Sequence, residues 1–340
     1  MTIDLNTVWF LLVGILFIGY AILDGFDLGV GTLHLFTRTD AERRVMINAI
    51  GPVWDGNEVW LVTGGGALFA AFPHVYATVF SGFYMALILL LVMLIFRAVA
   101  IEFRSKQPMK WWRAMWDVSF SVSSIVSSLL LGVALGNIAW GVPLGPDLEF
   151  AGTFWSLLNP YSLLVGVTTV ALFMMHGAIY MVLKTEGEMH DKIRPWVNNA
   201  IIFFIICYVS TTMATLLYVP HMVDSIKAHP IFFGLALLNM LAIANIPREI
   251  YHGRDFLAFL SSCASMAALM ALFGAGMYPD LVHSANDPAN SLTIYNAASS
   301  QKTLGIMLII AGIGVPLVLA YTSSIYWVFR GKVKLDRFSY

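Results

Sequence analysis

Charged residues are scarce in this chain of 340 residues, because Asp, Glu, Lys and Arg together make up only 11% of it. A typical soluble domain contains about 25%. Hydrophobic residues make up 59% of the sequence, which is more than the cores of soluble domains can bury at this chain length. The scarcity of charge therefore excludes a soluble globular protein and indicates an integral membrane protein.

Neither sign of charge is in excess, since 19 Lys and Arg face 20 Asp and Glu and the formal net charge is −1. We therefore exclude nucleic acid as a partner, because its binding depends on a surplus of basic residues. Cysteine is equally scarce, and Cys207 and Cys263 both lie in apolar stretches without metal-ligand spacing. We predict neither a disulfide framework nor a metal site.

Long apolar runs are what the sequence has in abundance. A transmembrane helix needs about 20 mostly apolar residues. We therefore predict an all-α, polytopic membrane protein of about nine transmembrane helices, folded as one integral membrane domain over residues 1–340. The predicted spans lie near 8–36, 45–72, 75–96, 118–140, 161–183, 197–219, 231–246, 256–278 and 303–329.

The basic residues indicate how the chain is oriented. Seventeen of the 19 fall in alternate loops and the C-terminal segment, among them Arg97 and Arg337, whereas Lys227 and Lys302 fall on the opposite side. Because positive residues accumulate on the cytoplasmic side, we predict an outside N-terminus and a cytoplasmic C-terminus. We interpret all 19 as lying in loops or at span edges.

Four acidic residues remain inside the predicted spans. Asp24 and Asp27 lie in the first span, and Asp55 and Glu58 lie in the second. Residues three apart share one face of a helix, and the two spans are consecutive and antiparallel. At 1.5 Å per residue, Asp24 lies roughly 18 Å and Asp55 roughly 15 Å from the cytoplasmic ends. We therefore predict a cluster of four carboxyl groups near the membrane midplane.

These acids oppose insertion of the helices into the membrane, since one Asp at the centre of a span raises the free energy of insertion by about 2.5–3.5 kcal/mol. With no basic residue predicted inside the spans, burial and mutual repulsion favour partly protonated carboxyl groups. Such groups exchange protons, which favours a proton relay. Two alternatives remain: a small-cation site that includes the Asn57 carbonyl, and hydrogen bonding that only holds helices together.

Weaker candidates accompany the acids. His176 lies deep in the fifth span and is a possible haem ligand, although a hydrogen-bonded core histidine is the commoner case. Trp54 and Trp60 flank the acids, and either lines a path or fills the bundle. Asp117 at the start of the fourth span is a proton uptake point or a helix N-cap.

Close helix packing is predicted at Gly25 and Gly29, because two glycines four residues apart let helices approach each other closely.

Three long motifs carry a family resemblance: DGFDLGVG at 24–31, ERRVMIN at 42–48 and WDGNEVWLVTGGGALFAAFP at 54–73. With these motifs the chain resembles subunit II of the cytochrome bd-type quinol oxidases. The likeness is looser in the second half. Shorter matches occur at 80–84, 103–106, 115–117, 158–160 and 297–301.

The resemblance implies an enzyme complex of the aerobic respiratory chain. A partner subunit I would carry two haems b, one haem d and the site for ubiquinol or menaquinol, and quinol oxidation would drive the four-electron reduction of oxygen to water. This chain would bind no catalytic haem, would scaffold subunit I and would help to take up protons from the cytoplasm. Small single-span subunits and membrane lipid are further expected partners, in a bacterial or archaeal cytoplasmic membrane.

The resemblance also implies two four-helix bundles plus one extra helix, here residues 1–140 with the acids and residues 161–329. It makes Asp55 the first choice as a proton carrier, followed by Asp27, Asp24 and Glu58.

A rival interpretation is a proton- or cation-coupled transporter, and a third is a purely structural subunit. Transporters often contain inverted repeats, whereas the acids in this sequence lie in the first two spans without a counterpart later.

Overall fold

The computed structural model describes residues 4–335, so that Arg337 lies outside the described part. The described chain is mostly helical and also contains short strands β1 (Asp280–Val282) and β2 (Leu292–Thr293), which pair antiparallel. Its α-helices are α1 (Leu5–Leu33), α2 (Asp40–Ile50), α3 (Trp54–Ala71), α4 (Pro73–Gly82), α5 (Tyr84–Phe103), α6 (Lys110–Trp140), α7 (Pro160–Lys184), α8 (Gly187–Tyr218), α9 (Pro220–Ala228), α10 (Ile231–Tyr251), α11 (Asp255–Met277) and α12 (Gln301–Val328).

Eight helices in the described range are long and apolar enough to cross a membrane: α1, α5, α6, α7, α8, α10, α11 and α12. The prediction of an all-α polytopic membrane protein is confirmed. Helix α3 has 18 residues and carries Asp55 and Glu58, and it corresponds to the remaining predicted span. It is not among the eight apolar helices.

The second predicted span, 45–72, is not one continuous helix. Gly51, Pro52 and Val53 form a turn that separates α2 from α3. Proline lacks a backbone N–H and disrupts the hydrogen bonding of a helix interior, and Val53 has a non-helical backbone at φ −127° and ψ −22°. Asp55 therefore lies in the first turn of α3, not about 15 Å inside a continuous span.

The third predicted span, 75–96, is also wrong in its bounds. The chain forms the short helix α4, interrupts at Phe83, and continues as α5 as far as Phe103. Both sides of Phe83 are apolar, so hydropathy could not locate the interruption. As a result Arg97, predicted to lie in a loop, is inside α5 and completely buried.

Helix α1 occupies the centre of the fold. It packs against α3, α6, α7 and α11. A side-chain carbon added to Gly29 would lie 1.9 Å from the carbonyl oxygen of Phe173 on α7, and one added to Gly177 would lie 2.5 Å from the backbone of Gly29. The predicted close packing at Gly29 is confirmed, and the helices touch backbone to backbone.

The loops predicted to share one side of the membrane meet at one end of the fold, which we call the arginine-rich end. There Arg43 pairs with Asp117, and Lys192 pairs with Glu42. Lys184 donates a hydrogen bond to the carbonyl of Phe329. The start of α1 lies at the opposite end, with α9 and the two strands.

Candidate functional site

An arginine lies at the centre of the acidic cluster. Both terminal nitrogens of Arg97 donate to the carboxylate of Asp24, with Nη1 at 2.9 Å from Oδ2 and Nη2 bonded to Oδ1. Both side chains are fully buried. A bidentate arginine–carboxylate pair is strong and fixed in geometry. The expectation that the spans contain no basic partner is therefore wrong.

Glu58 reaches the same guanidinium from α3. Its Oε1 lies 3.4 Å from Nη1 of Arg97, and 21% of its side chain is accessible to solvent. Arg97 thus lies between one carboxylate that it binds fully and a second that is partly accessible. Within residues 4–335 one cation, Arg97, pairs with both acids, so the three side chains carry a net charge of −1 when both acids are ionised.

Asp27 is held by an amide instead of a cation. Asn57 Nδ2 donates to Asp27 Oδ2 at 2.7 Å, and the Tyr326 hydroxyl of α12 donates to Asn57 Oδ1 at 2.9 Å. Among residues 4–335, no hydrogen-bond partner reaches the buried Oδ1 of Asp27. The Asn57 carbonyl, expected to serve a cation in the alternative interpretation, is occupied by Tyr326.

Asp55 differs from the other three acids because it is exposed on the surface of this chain. It lies one helical turn before Glu58 and lines a hollow between the start of α3 and α12, with Tyr321 and Tyr326 on the other wall. The predicted group of four carboxyls therefore consists of three around Arg97 and Asn57, and of Asp55 at the accessible edge.

His176 is a satisfied core histidine. Its Nδ1 lies 2.7 Å from the Ser262 hydroxyl, and its Nε2 lies 3.0 Å from the Ile22 carbonyl oxygen. The ring also stacks on Phe259 at 5.0 Å between centroids. Both ring nitrogens are engaged in this fold, so haem ligation would require one of these bonds to break.

The two flanking tryptophans pack against neighbouring helices. Trp54 belongs to the large buried core. The Trp60 ring lies over Gly19 of α1, where an added side-chain carbon would be 2.4 Å from the ring. Asp117 is not a helix N-cap, because it lies seven residues inside α6 and pairs there with Arg104 and His34.

The fold and site together define a class: a polytopic α-helical membrane protein with an acidic cluster that is buried beside a single arginine. The model of the family "Cytochrome bd terminal oxidase subunit II" matches residues 5–329. The chain therefore belongs to the cytochrome bd oxidase subunit II family.

Individual relatives agree with this assignment. The chain is 38% identical to cytochrome bd-I ubiquinol oxidase subunit 2 of Escherichia coli K12, over 97% of this chain and 95% of that one. It is 34% identical to cytochrome bd ubiquinol oxidase subunit 2 of Bacillus subtilis, over 97% of both chains. Its fold matches a chain of the bd oxidase structure from Geobacillus thermodenitrificans with a TM-score of 0.80 and 17% identity, over 97% and 98% of the two chains.

Proposed function

We propose that the chain is the non-haem subunit II of a cytochrome bd-type quinol oxidase in a bacterial cytoplasmic membrane. Its partner is a subunit I that carries two haems b and one haem d. The complex oxidises ubiquinol or menaquinol and reduces oxygen to water. Small single-span subunits and membrane lipid complete the proposed set of partners. Family membership over nearly the whole chain supports this function and decides against a transporter.

Within that complex we assign proton delivery to the acidic cluster. Reduction of one oxygen molecule to two waters consumes four protons as well as four electrons. The observation that carries the assignment is Arg97, which is fully buried between Asp24 and Glu58, with the partly exposed Glu58 next to the exposed Asp55. Buried ionisable groups in membrane proteins typically serve in such relays.

The contacts divide the roles among the acids. Asp24 is bound at both oxygens by Arg97, so its main role is to hold the cation in place. Asp27 Oδ1 has no hydrogen-bond partner among the described residues, and Glu58 Oε1 makes no hydrogen bond there but only the ion pair with Arg97 at 3.4 Å. These two acids are therefore the buried carriers, and Asp55 passes the proton from the accessible edge toward the partner.

Replacement of Asp55 tests the relay. In the assembled oxidase, Asp55→Asn should slow oxygen consumption with quinol roughly tenfold or more, in the range typical of a lost proton-transfer group. Haem content should stay unchanged, because Asp55 is exposed on this chain. Asp224→Asn, which alters an exposed acid on α9, is the matched control. Wild-type turnover in the Asp55 variant would refute the relay at this residue.

Mild purification tests the oxidase assignment separately. A tagged chain should bring down a larger subunit, and the complex should show a d-type band in its reduced-minus-oxidised spectrum. The isolated chain should show no haem absorbance. A haem band from the isolated polypeptide that disappears in His176→Ala would contradict the assignment of all haems to the partner.

A further inference from the structure

A second buried polar group lies at the arginine-rich end, below the acidic cluster. His34, at the end of α1, and Asp117 of α6 are both almost completely inaccessible, with 0% and 1% of their side chains exposed. Their Nε2 and Oδ1 atoms are 2.6 Å apart. The proposed function leaves this pair without a role.

One nitrogen of this pair makes no hydrogen bond. Within residues 4–335 the buried Nδ1 of His34 has no hydrogen-bond partner. A purely structural histidine is satisfied at both nitrogens, as His176 is in this chain. Buried unpaired polar atoms are unfavourable and rare, so the free nitrogen indicates a site that exchanges a ligand or a proton.

Charges of both signs surround His34. Asp117 favours the protonated imidazole, whereas Arg104, directly after α5, and Arg43 of α2 oppose it. Both arginines also bind Asp117, at 2.5 Å and 2.7 Å. Arg104 is shared further with Asp40 at 2.8 Å. Asp117 is bonded by three donors, which stabilise its carboxylate form, whereas burial favours the neutral ring of His34.

The pair is aligned with the acidic cluster along two helices. On α1, Asp24, Asp27, Gly31 and His34 recur at the spacing of a single helix face. Seven residues separate His34 from Asp27, which corresponds to about 10 Å along the axis. The facing part of α6 carries buried hydroxyls after Asp117, at Ser121, Ser123, Ser124, Ser127 and Ser128.

Ser124 lies in the interval between the two polar groups. Gly31 touches Ser124 so closely that an added side-chain carbon would lie 2.0 Å from its Oγ. Ser127 is fully buried, and its hydroxyl is without a partner among the described residues. His34 Nδ1, Ser127 Oγ and Asp27 Oδ1 are thus among the buried polar atoms of the described chain that have no hydrogen-bond partner.

We infer that His34 is the group that takes up protons at the arginine-rich end and supplies them along the α1–α6 contact to Asp27, with Asp117 as its positioning residue. The inference rests on the proposed function of the acidic cluster. It gives the proposed proton relay an entry point at His34, which is distinct from the four acids.

The transfer balances without any further reactant. Neutral His34 keeps the proton on its Nε2, which donates a hydrogen bond to Asp117. A hydronium ion then transfers a proton to Nδ1, which forms the imidazolium and leaves a water molecule. The Nδ1 proton then passes through hydroxyl groups to the ionised Asp27 carboxylate, where an O–H bond forms. His34 returns to its neutral state and Asp117 remains a carboxylate throughout.

Turnover as a function of pH in the assembled oxidase tests this role. His34→Gln keeps a donor for Asp117 but cannot carry a proton. We expect its turnover to fall roughly tenfold at alkaline pH, where protons are scarce, and to fall much less in acid. His176→Gln is the matched control, because it alters an equally buried histidine and should leave the shape of the pH profile unchanged.

The outcomes separate this inference from the proposed function. An unaltered pH profile in His34→Gln, with slow turnover in Asp27→Asn, would overturn the role of His34 and leave the acidic relay standing. Wild-type behaviour of both variants would overturn both. If His34→Gln fails to assemble, Ser127→Ala decides: slower turnover at alkaline pH supports the route, and an unchanged profile refutes it.

Discussion

Removal of Arg97 should disturb the complex more than removal of its partner Asp24. Loss of one member of a buried ion pair typically costs about 3–5 kcal/mol, because the remaining charge is left uncompensated. Arg97→Gln leaves two acids, Asp24 and Glu58, facing each other without a cation, so one of them must take up a proton. We therefore expect Arg97→Gln to lower the free energy of unfolding by an amount at the upper end of that range.

Asp24→Asn leaves the cation of Arg97 with one acidic partner. Arg97 still has Glu58 at 3.4 Å, so its charge keeps a partner and the cost should lie at the lower end of the same range. In the double variant Arg97→Gln/Asp24→Asn, only Glu58 remains. Because the residues interact directly, the combined loss should be smaller than the sum of the single losses by about 1–3 kcal/mol.

Thermal loss of haem absorbance from the purified complex measures these differences as shifts in Tm. Arg113→Gln is the control, since it breaks a partly exposed pair with Asp40 at 2.9 Å, and surface pairs contribute about 0–1 kcal/mol. Equal Tm shifts for Arg97→Gln and Arg113→Gln, or strictly additive effects in the double variant, would refute the buried-pair argument.

Two further predictions concern packing and pH. Gly29→Ala should destabilise the folded chain by about 1–3 kcal/mol through overpacking against Phe173 and so lower the yield of assembled complex. Gly14→Ala on the same helix is the control, because its added carbon meets nothing within 4 Å. Equal yields of the two complexes would contradict this prediction. Burial and the His283 ring stacked at 3.8 Å lower the pKa of His221, so the native state resists its protonation. The Tm of the complex should therefore fall as pH drops below about 6.5. The fall should be less steep in His221→Gln, and equal dependence of Tm on pH in the wild type and the variant would refute this role of His221.

The features that follow from composition and local pattern were predictable from the sequence. Apolar runs predicted the helical membrane fold, the loop arginines predicted which loops meet, and Gly29 predicted a close helix contact. The three acids Asp24, Asp27 and Glu58 were correctly expected to cluster. Each of these depends on neighbours in the sequence or on the regular spacing of a helix.

The parts that failed depend on contacts between distant residues. Arg97 was assigned to a loop because the third predicted span ended at residue 96, and its burial depends on Asp24, 73 residues away. The interruption at Phe83 separates two equally apolar segments, so hydropathy carries no signal for it. His34 lies near the end of the first predicted span, and its contact with Asp117, 83 residues later, depends on the packing of α1 against α6.

The contacts at the start of α1 have a consequence for biosynthesis. Trp9 donates to the carbonyl of Leu304 at 3.0 Å, and Asn6 bonds both the Ile294 carbonyl and Gln301 at 2.6 Å. These partners emerge from the ribosome almost 300 residues after the groups that they satisfy. The polar groups at the start of α1 therefore stay without these partners until the last segment of the chain is inserted. A chain truncated before α12 would leave the Trp9 indole N–H without its partner Leu304 and Asn6 without its partner Gln301.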